Sequence, residues 1–273
     1  MKKFGIDISK WQGSFDFNKA IAEGVEFAII KGGGGDAGLY IDGKFVRNYN
    51  EAKSKGLPVG CYWFSRARSV EEALTEAEYF YNNIIKNRQF ELPVYIDVEH
   101  RDMLAVGKDK LTAIIKAFCK KMEDFGCFVG IYSSKSFLES YMNDTELQAY
   151  AHWVAQWNTK CTYKGNENVL GMWQFGGETN LIRTNKVAGV TCDQNYMLLD
   201  YPAIIKGAGL NGYEKKSSVT PAGEVKPTDK TLEQLVNEVI RGEWGNGAER
   251  KQRLTAAGYN YDEVQSLVNR RYT

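Results

Sequence analysis

Short apolar runs recur along the chain, each long enough for one strand: Phe4–Ser9, Phe27–Gly32, Pro58–Phe64, Pro93–Glu99, Phe128–Ser134, His152–Trp157, Met172–Phe175 and Asp193–Met197. Between the early runs, apolar positions fall at helical spacing over Phe17–Glu23, Phe45–Lys55, Val70–Lys86, Lys110–Phe125 and Lys135–Met142. Strands that alternate with helices build β-α-β units and a parallel sheet. Eight of them suit a closed barrel. The last three runs are joined by stretches with little helical pattern, so the barrel should be irregular in its final third. The expected fold is α/β: an irregular TIM-like (β/α)5(β)3 barrel over residues 1–206.

The texture then changes. Residues 207–229 carry Gly, Ser, Thr, Pro and Lys with few large apolar side chains, the composition of a flexible linker. Helical spacing returns with Leu232, Leu235, Val236 and Val239. Trp244-Gly245-Asn246-Gly247 reads as a turn. A second helix, Glu249–Ala257, ends at Gly258, and a third spans Tyr261–Arg271. Residues 230–273 are expected to form a small three-helix bundle.

Composition narrows the function. Of 273 residues, 25% are charged and 43% hydrophobic, with formal net charge +1, so no polyanion-binding surface is indicated and nucleic acid is an unexpected partner. Nothing approaches the length of a membrane span, and no signal-like apolar run follows Lys2-Lys3, which points to synthesis in the cytoplasm without a signal peptide. The five cysteines (61, 119, 127, 161 and 192) lack C-x-x-C spacing and read as reduced, mostly buried thiols. With two histidines and no H-E-x-x-H, no zinc site is expected. Gly32–Gly35 lacks the phosphate-loop lysine pattern and reads as a flexible mouth loop. No metal or cofactor is called for. Aromatics reach 13%, and pyranose-binding clefts use such faces for stacking.

The carboxylates carry the chemistry. Val94-Tyr95-Ile96-Asp97-Val98-Glu99 is an apolar strand ending in two acids. Residues i and i+2 share a strand face, about 7 Å apart along the backbone. An acid at the end of an apolar strand is costly unless solvated or paired, and at the C-terminal mouth of a barrel the usual reason is catalysis. Asp7, inside Phe4–Ser9, and Asp193, opening the last apolar run, would join the same mouth. Crowded carboxylates push their pKa values apart, so that one keeps a proton. Glycoside hydrolysis needs that pairing of a proton donor with a negative partner.

At these residues the chain resembles glycoside hydrolase family 25, the Chalaropsis-type lysozymes common in phage endolysins, over roughly residues 4–200. Asp7-Ile8-Ser9-Lys10-Trp11-Gln12-Gly13 matches its D-[IV]-S-x-[WY]-x-G opening, and Asp97-Val98-Glu99 its D-x-E signature. Asp42, Phe45, Asn48, Tyr132-Ser133, Trp153 through Trp157, Trp173-Gln174-Phe175 and Asp193-Gln194-Asn195 fit later blocks. The resemblance implies hydrolysis of the β-1,4 bond between N-acetylmuramic acid and N-acetylglucosamine. Glu99 would be the general acid, Asp97 its partner, with Asp7 and Asp193 completing the cluster. Tyr62, Tyr132, Trp157, Gln174 and Lys31 would bind substrate. The chain departs from the family at Lys31-Gly32-Gly33-Gly34-Gly35, where a Lys-[AS]-[ST]-Glu-Gly run is common. Leu235 through Tyr261 resembles a CW_7 wall-binding repeat, which implies muropeptide recognition, with Trp244, Asn246 and Arg250 as contacts. The implied partner is bacterial peptidoglycan, reached after release from the host cytoplasm through a holin. Cleavage of the neighbouring glucosaminidase bond and a non-catalytic wall-binding barrel are the competing readings.

Overall fold

The computed structural model describes residues 2–36, 38–165, 169–215 and 230–270. Eight strands close a barrel: β1 (Lys3–Ile8), β2 (Phe27–Gly34), β3 (Val59–Phe64), β4 (Val94–Asp97), β5 (Val129–Ser134), β6 (Ala151–Ala155), β7 (Leu170–Gly176) and β8 (Asp193–Met197). Neighbouring strands from β1 through β7 run parallel, and β1 pairs with β2 to help close the ring. The last strand differs from the expected parallel sheet. β8 is antiparallel to both β7 and β1. No helix is assigned among the described residues between β7 and β8, so the chain returns from the mouth directly and β8 runs downward. That inversion carries Asp193, the first residue of β8, to the mouth, directly opposite Asp7.

Helices α1 (Phe17–Ala22), α2 (Phe45–Ser54), α3 (Val70–Phe80), α4 (Lys108–Asp124) and α5 (Lys135–Tyr141) follow the first five strands. Each of these starts or inner faces has a local cause. Ser69 accepts from the Glu72 amide (3.2 Å) to cap α3, and α4 buries the stripe Leu111, Ile114, Ile115, Phe118 and Met122. The expected single helix Val70–Lys86 changes character at Phe80 and continues as a π-helical turn, Tyr81–Ile85. Inside the barrel, large side chains face small ones. A Cβ on Gly5 would lie 2.5 Å from the Phe27 ring, and one on Gly130 would lie 2.5 Å from Tyr95. The glycines make room for an aromatic interior of Tyr95, Tyr132 and Trp153, resting on Leu92, Met197, Tyr201 and Ile205.

Two expectations are corrected. Gly32–Gly34 is not a flexible mouth loop but the buried end of β2. A Cβ on Gly33 would meet the Tyr40 carbonyl at 2.0 Å, so the glycines serve close packing. The barrel also does not end at 206. A further helix, α6 (Tyr201–Ala208), stops at left-handed Gly209, and Leu210 and Asn211 are buried. Asn211 bonds to the Phe90, Gly126, Phe128 and Leu92 backbones, and the Tyr213 hydroxyl donates to Glu91. Of the expected linker, residues 207–213 are therefore barrel, and 216–229 lie outside the described residues.

Helices α7 (Leu232–Ile240), α8 (Gly247–Ala256) and α9 (Tyr261–Arg270) gather Leu235, Val236, Val239, Leu254, Val264 and Val268 into a separate core. Thr231 and Gln234 form a capping box at the start of α7. No helix among the described residues is long and apolar enough to cross a membrane. All five cysteines are free, and Cys161 alone is not buried.

Candidate active site

Asp7 near the end of β1, Asp97 at the end of β4, Glu99 just beyond it and Asp193 at the head of β8 line one cavity of about 140 Å³ at the mouth. Tyr62, Tyr132, Trp153, Trp157 and Gln174 complete its walls. The segment carrying Glu99 is tied to β5: the Val98 amide donates to Tyr132 O (2.9 Å) and the Ser133 hydroxyl to Val98 O (2.6 Å).

The four acids sit in different environments. Asp7 Oδ2 accepts from Gln174 Nε2 (3.0 Å) and Asn195 Nδ2 (2.8 Å). Burial raises its pKa to about 6 against the pull of those two bonds. Asp193 has burial and the facing Asp7 and Glu99 charges acting together, and rises to about 8. Asp97 is buried, with Oδ1 accepting no hydrogen bond from the described residues. Burial and the Glu99 charge push it well above the carboxylate range, opposed by Lys31. Glu99 is exposed to the groove, and desolvation by the surrounding walls raises its pKa, with Lys31 and His100 pulling back. Lys31 does not line the cavity itself. Its ammonium stands over the Phe64 ring at 4.4 Å and acts on Asp97 and Glu99 through charge.

A hydrogen-bonded frame holds the walls. Gln174 Oε1 accepts from Tyr132 OH (3.1 Å) and Trp157 Nε1 (3.0 Å), while its amide nitrogen holds Asp7. Trp153 Nε1 donates to Asn195 Oδ1 (2.8 Å), whose amide also holds Asp7. Trp153 and Asn195 fall in blocks of the family resemblance, but the sequence assigns neither a role in the site. Strand alternation was the available signal, since Asn195 lies two residues after Asp193 and Trp153 two before Ala155 on the face leading to Trp157.

No group of three or more His, Cys, Asp or Glu that could hold a metal occurs among the described residues. His152 is fully buried between Tyr150 O (2.8 Å) and Asp144 Oδ1 (3.0 Å), stacked against Tyr163, and serves packing. In the bundle, Trp244 bonds to Glu238 (2.9 Å) and meets Tyr259 edge-on, so it is engaged in the bundle's own packing. Arg250 donates to Gly245 O, Asn246 Oδ1 and Gln265 Oε1.

Residues 233–271 match the CW_7 repeat. An autolytic lysozyme of Clostridium acetobutylicum is 31% identical over 153 residues, 56% of this chain and 44% of that protein. The lysozyme of Streptococcus phage Cp-7 is 27% identical over 222 residues, covering 79% of this chain and 56% of the relative. The chain thus spans about half the length of these two relatives. A solved bacterial lysozyme from Streptomyces coelicolor superposes with a TM-score of 0.62 at 25% identity, covering 79% of this chain and 98% of that one. Residues 6–182, most of the barrel, match the model of the glycosyl hydrolases family 25, and to that family the chain belongs.

Proposed function

We propose that the chain is a peptidoglycan hydrolase, an N-acetylmuramidase cutting the β-1,4 bond from N-acetylmuramic acid to N-acetylglucosamine, with the C-terminal bundle as its wall-binding module. One observation carries the reading: four carboxylates from three strands of a family 25 barrel share one mouth cavity, each with a raised pKa. Glu99 has a raised pKa and meets the open groove, which suits it to act as the general acid. It donates to the glycosidic oxygen as the bond to C1 breaks. Asp97 stands two residues away with a free acceptor, suited to the N–H of the substrate's 2-acetamido group. The acetamido oxygen then attacks C1 to give an oxazolinium. Water, deprotonated by the Glu99 carboxylate, opens it with net retention. Asp7, fixed by Asn195 and Gln174, and Asp193 shape the field. Tyr62, Tyr132 and Trp157 supply walls for the sugars. In the module, Asn246 and Arg250 are the proposed wall contacts.

Glu99→Gln keeps the shape and removes the proton, so turnover should fall by about 10²–10⁴-fold. Wall digested by the parent chain should carry muramic acid reducing ends, and proton NMR should find the β-anomer first. Near-parental turnover by the variant would remove the acid assignment, and an initial α-anomer the retaining route.

A further inference from the structure

Trp11 is the most exposed large apolar side chain among the described residues, at 78%. It does not dangle. It sits in a one-turn 3₁₀ helix, Lys10–Gln12, capped at Ser9, whose hydroxyl accepts from the Trp11 amide (3.3 Å) while the Ser9 amide donates to Gln12 Oε1 (2.9 Å). Both flanks are pinned. The Lys10 amide donates to Asp42 Oδ2 (3.1 Å) and Gln12 Nε2 to Thr191 O (3.4 Å). Trp11 lies four positions after Asp7, and Thr191 two before Asp193, so the platform stands on the mouth rim beside the acid cluster. Other exposed apolar side chains, Ile41, Trp157 and Leu181, lie on mouth-side segments too. The Lys10 ammonium lies 5.2 Å from the Trp11 ring centre and makes no ion pair among the described residues.

An indole carried on a pinned turn and left in water beside a cation without an ion-pair partner among the described residues fits a sugar that offers both an apolar ring face and a carboxylate. We propose that Trp11 and Lys10 form a distal subsite for an N-acetylmuramic acid residue of the same glycan strand, beyond the sugars that flank the cut. Trp11 stacks on the pyranose, and Lys10 pairs with the carboxylate that the lactyl ether bears where the stem peptide has been removed. The inference rests on the muramidase reading. Neither side chain takes part in bond cleavage. The subsite selects long strands, which reach from the acid cluster to the rim.

The test uses the full chain with glycan strands of defined length. On an octasaccharide, Trp11→Ala should raise KM by about 3–10-fold, the scale of one aromatic contact, with kcat unchanged. On a tetrasaccharide, which offers fewer sugars beyond those flanking the cut, the rise in KM should be smaller. Trp11→Tyr should recover most of the loss. Lys10→Gln should raise KM on the muramic acid octasaccharide and leave the dissociation constant of a chitin octasaccharide, which has no carboxylates, unchanged. Parental KM for Trp11→Ala on the long strand would overturn the proposal, as would an equal rise on both lengths at an unchanged melting temperature. Failure of the underlying reading is separate: the parent chain would then release no muramic acid reducing ends from wall.

Discussion

Asp193 is held where its charge is least welcome, enclosed by the mouth and facing the carboxylates of Asp7 and Glu99. Its pKa in the fold is about 8, against an ordinary 3.8 when the chain is unfolded. The folded state therefore binds its proton more tightly, so this contribution to stability is complete below about pH 4 and is lost as pH rises through about 8. Asn is nearly isosteric with the protonated acid and does not titrate. Asp193→Asn should melt close to the parent at pH 5 and pull ahead by at least about 2 °C by pH 9, roughly what 1 kcal/mol yields in a domain of this size. Melting curves that stay parallel across that range would show that Asp193 is not the strained member. At this scale the sequence was informative where chemistry contradicts environment. Acids inside apolar runs stand out, and Asp7, Asp97, Glu99 and Asp193 do meet. Trp153 and Asn195 look like ordinary strand residues, and their importance comes from cross-strand partners that local sequence does not display.

Elements were legible from apolar period, because a strand or helix buries its own face wherever it sits. Strand direction was not, since nothing in Asp193–Met197 says which way it runs. Nor was the glycine run. A run of four glycines suggests freedom, yet Gly32–Gly34 is buried strand, and a Cβ on Gly35 would meet Glu76 Oε1 at 2.4 Å. Glu76, from α3, accepts there from Trp63 Nε1 (2.9 Å), Ser65 Oγ (2.6 Å) and the Arg66 amide (3.0 Å). Gly34→Glu, which restores the residue common at this place in the family, would set a Cβ 2.8 Å from the Phe64 carbonyl. Overpacking of this kind costs about 1–3 kcal/mol, a melting temperature lower by roughly 3–10 °C. A variant as stable as the parent would mean that β2 has room the packing denies.

At the scale of the whole molecule, the barrel has two ends with different duties. The mouth holds the acids. The base is sealed by α6 and the segment after it, and the bundle lies against that base, where a Cβ on Gly242 would come within 3.0 Å of Ile204. Composition alone placed the barrel's end at 206, because Gly, Asn and Tyr in a short polar stretch resemble linker until their partners are known. Those partners are backbone groups at the base: Asn211 donates to Gly126 O (3.1 Å) and Leu92 O (2.9 Å), and accepts from the Phe90 (3.1 Å) and Phe128 (2.8 Å) amides. The Tyr213 hydroxyl bonds to Glu91, which also holds Lys53 and the Val59 amide. At about 1 kcal/mol per bond, a chain cut at 206 should melt roughly 10 °C or more below one cut at 225. The chain cut at 225 keeps every one of these bonds and should cleave soluble muropeptides like the full protein. On intact wall it should be slower, because the tethered module raises the local concentration of enzyme. Equal stability of the two truncations would return the barrel's boundary to 206. Equal rates on wall for the longer truncation and the full chain would take the wall-binding role away from residues 230–273.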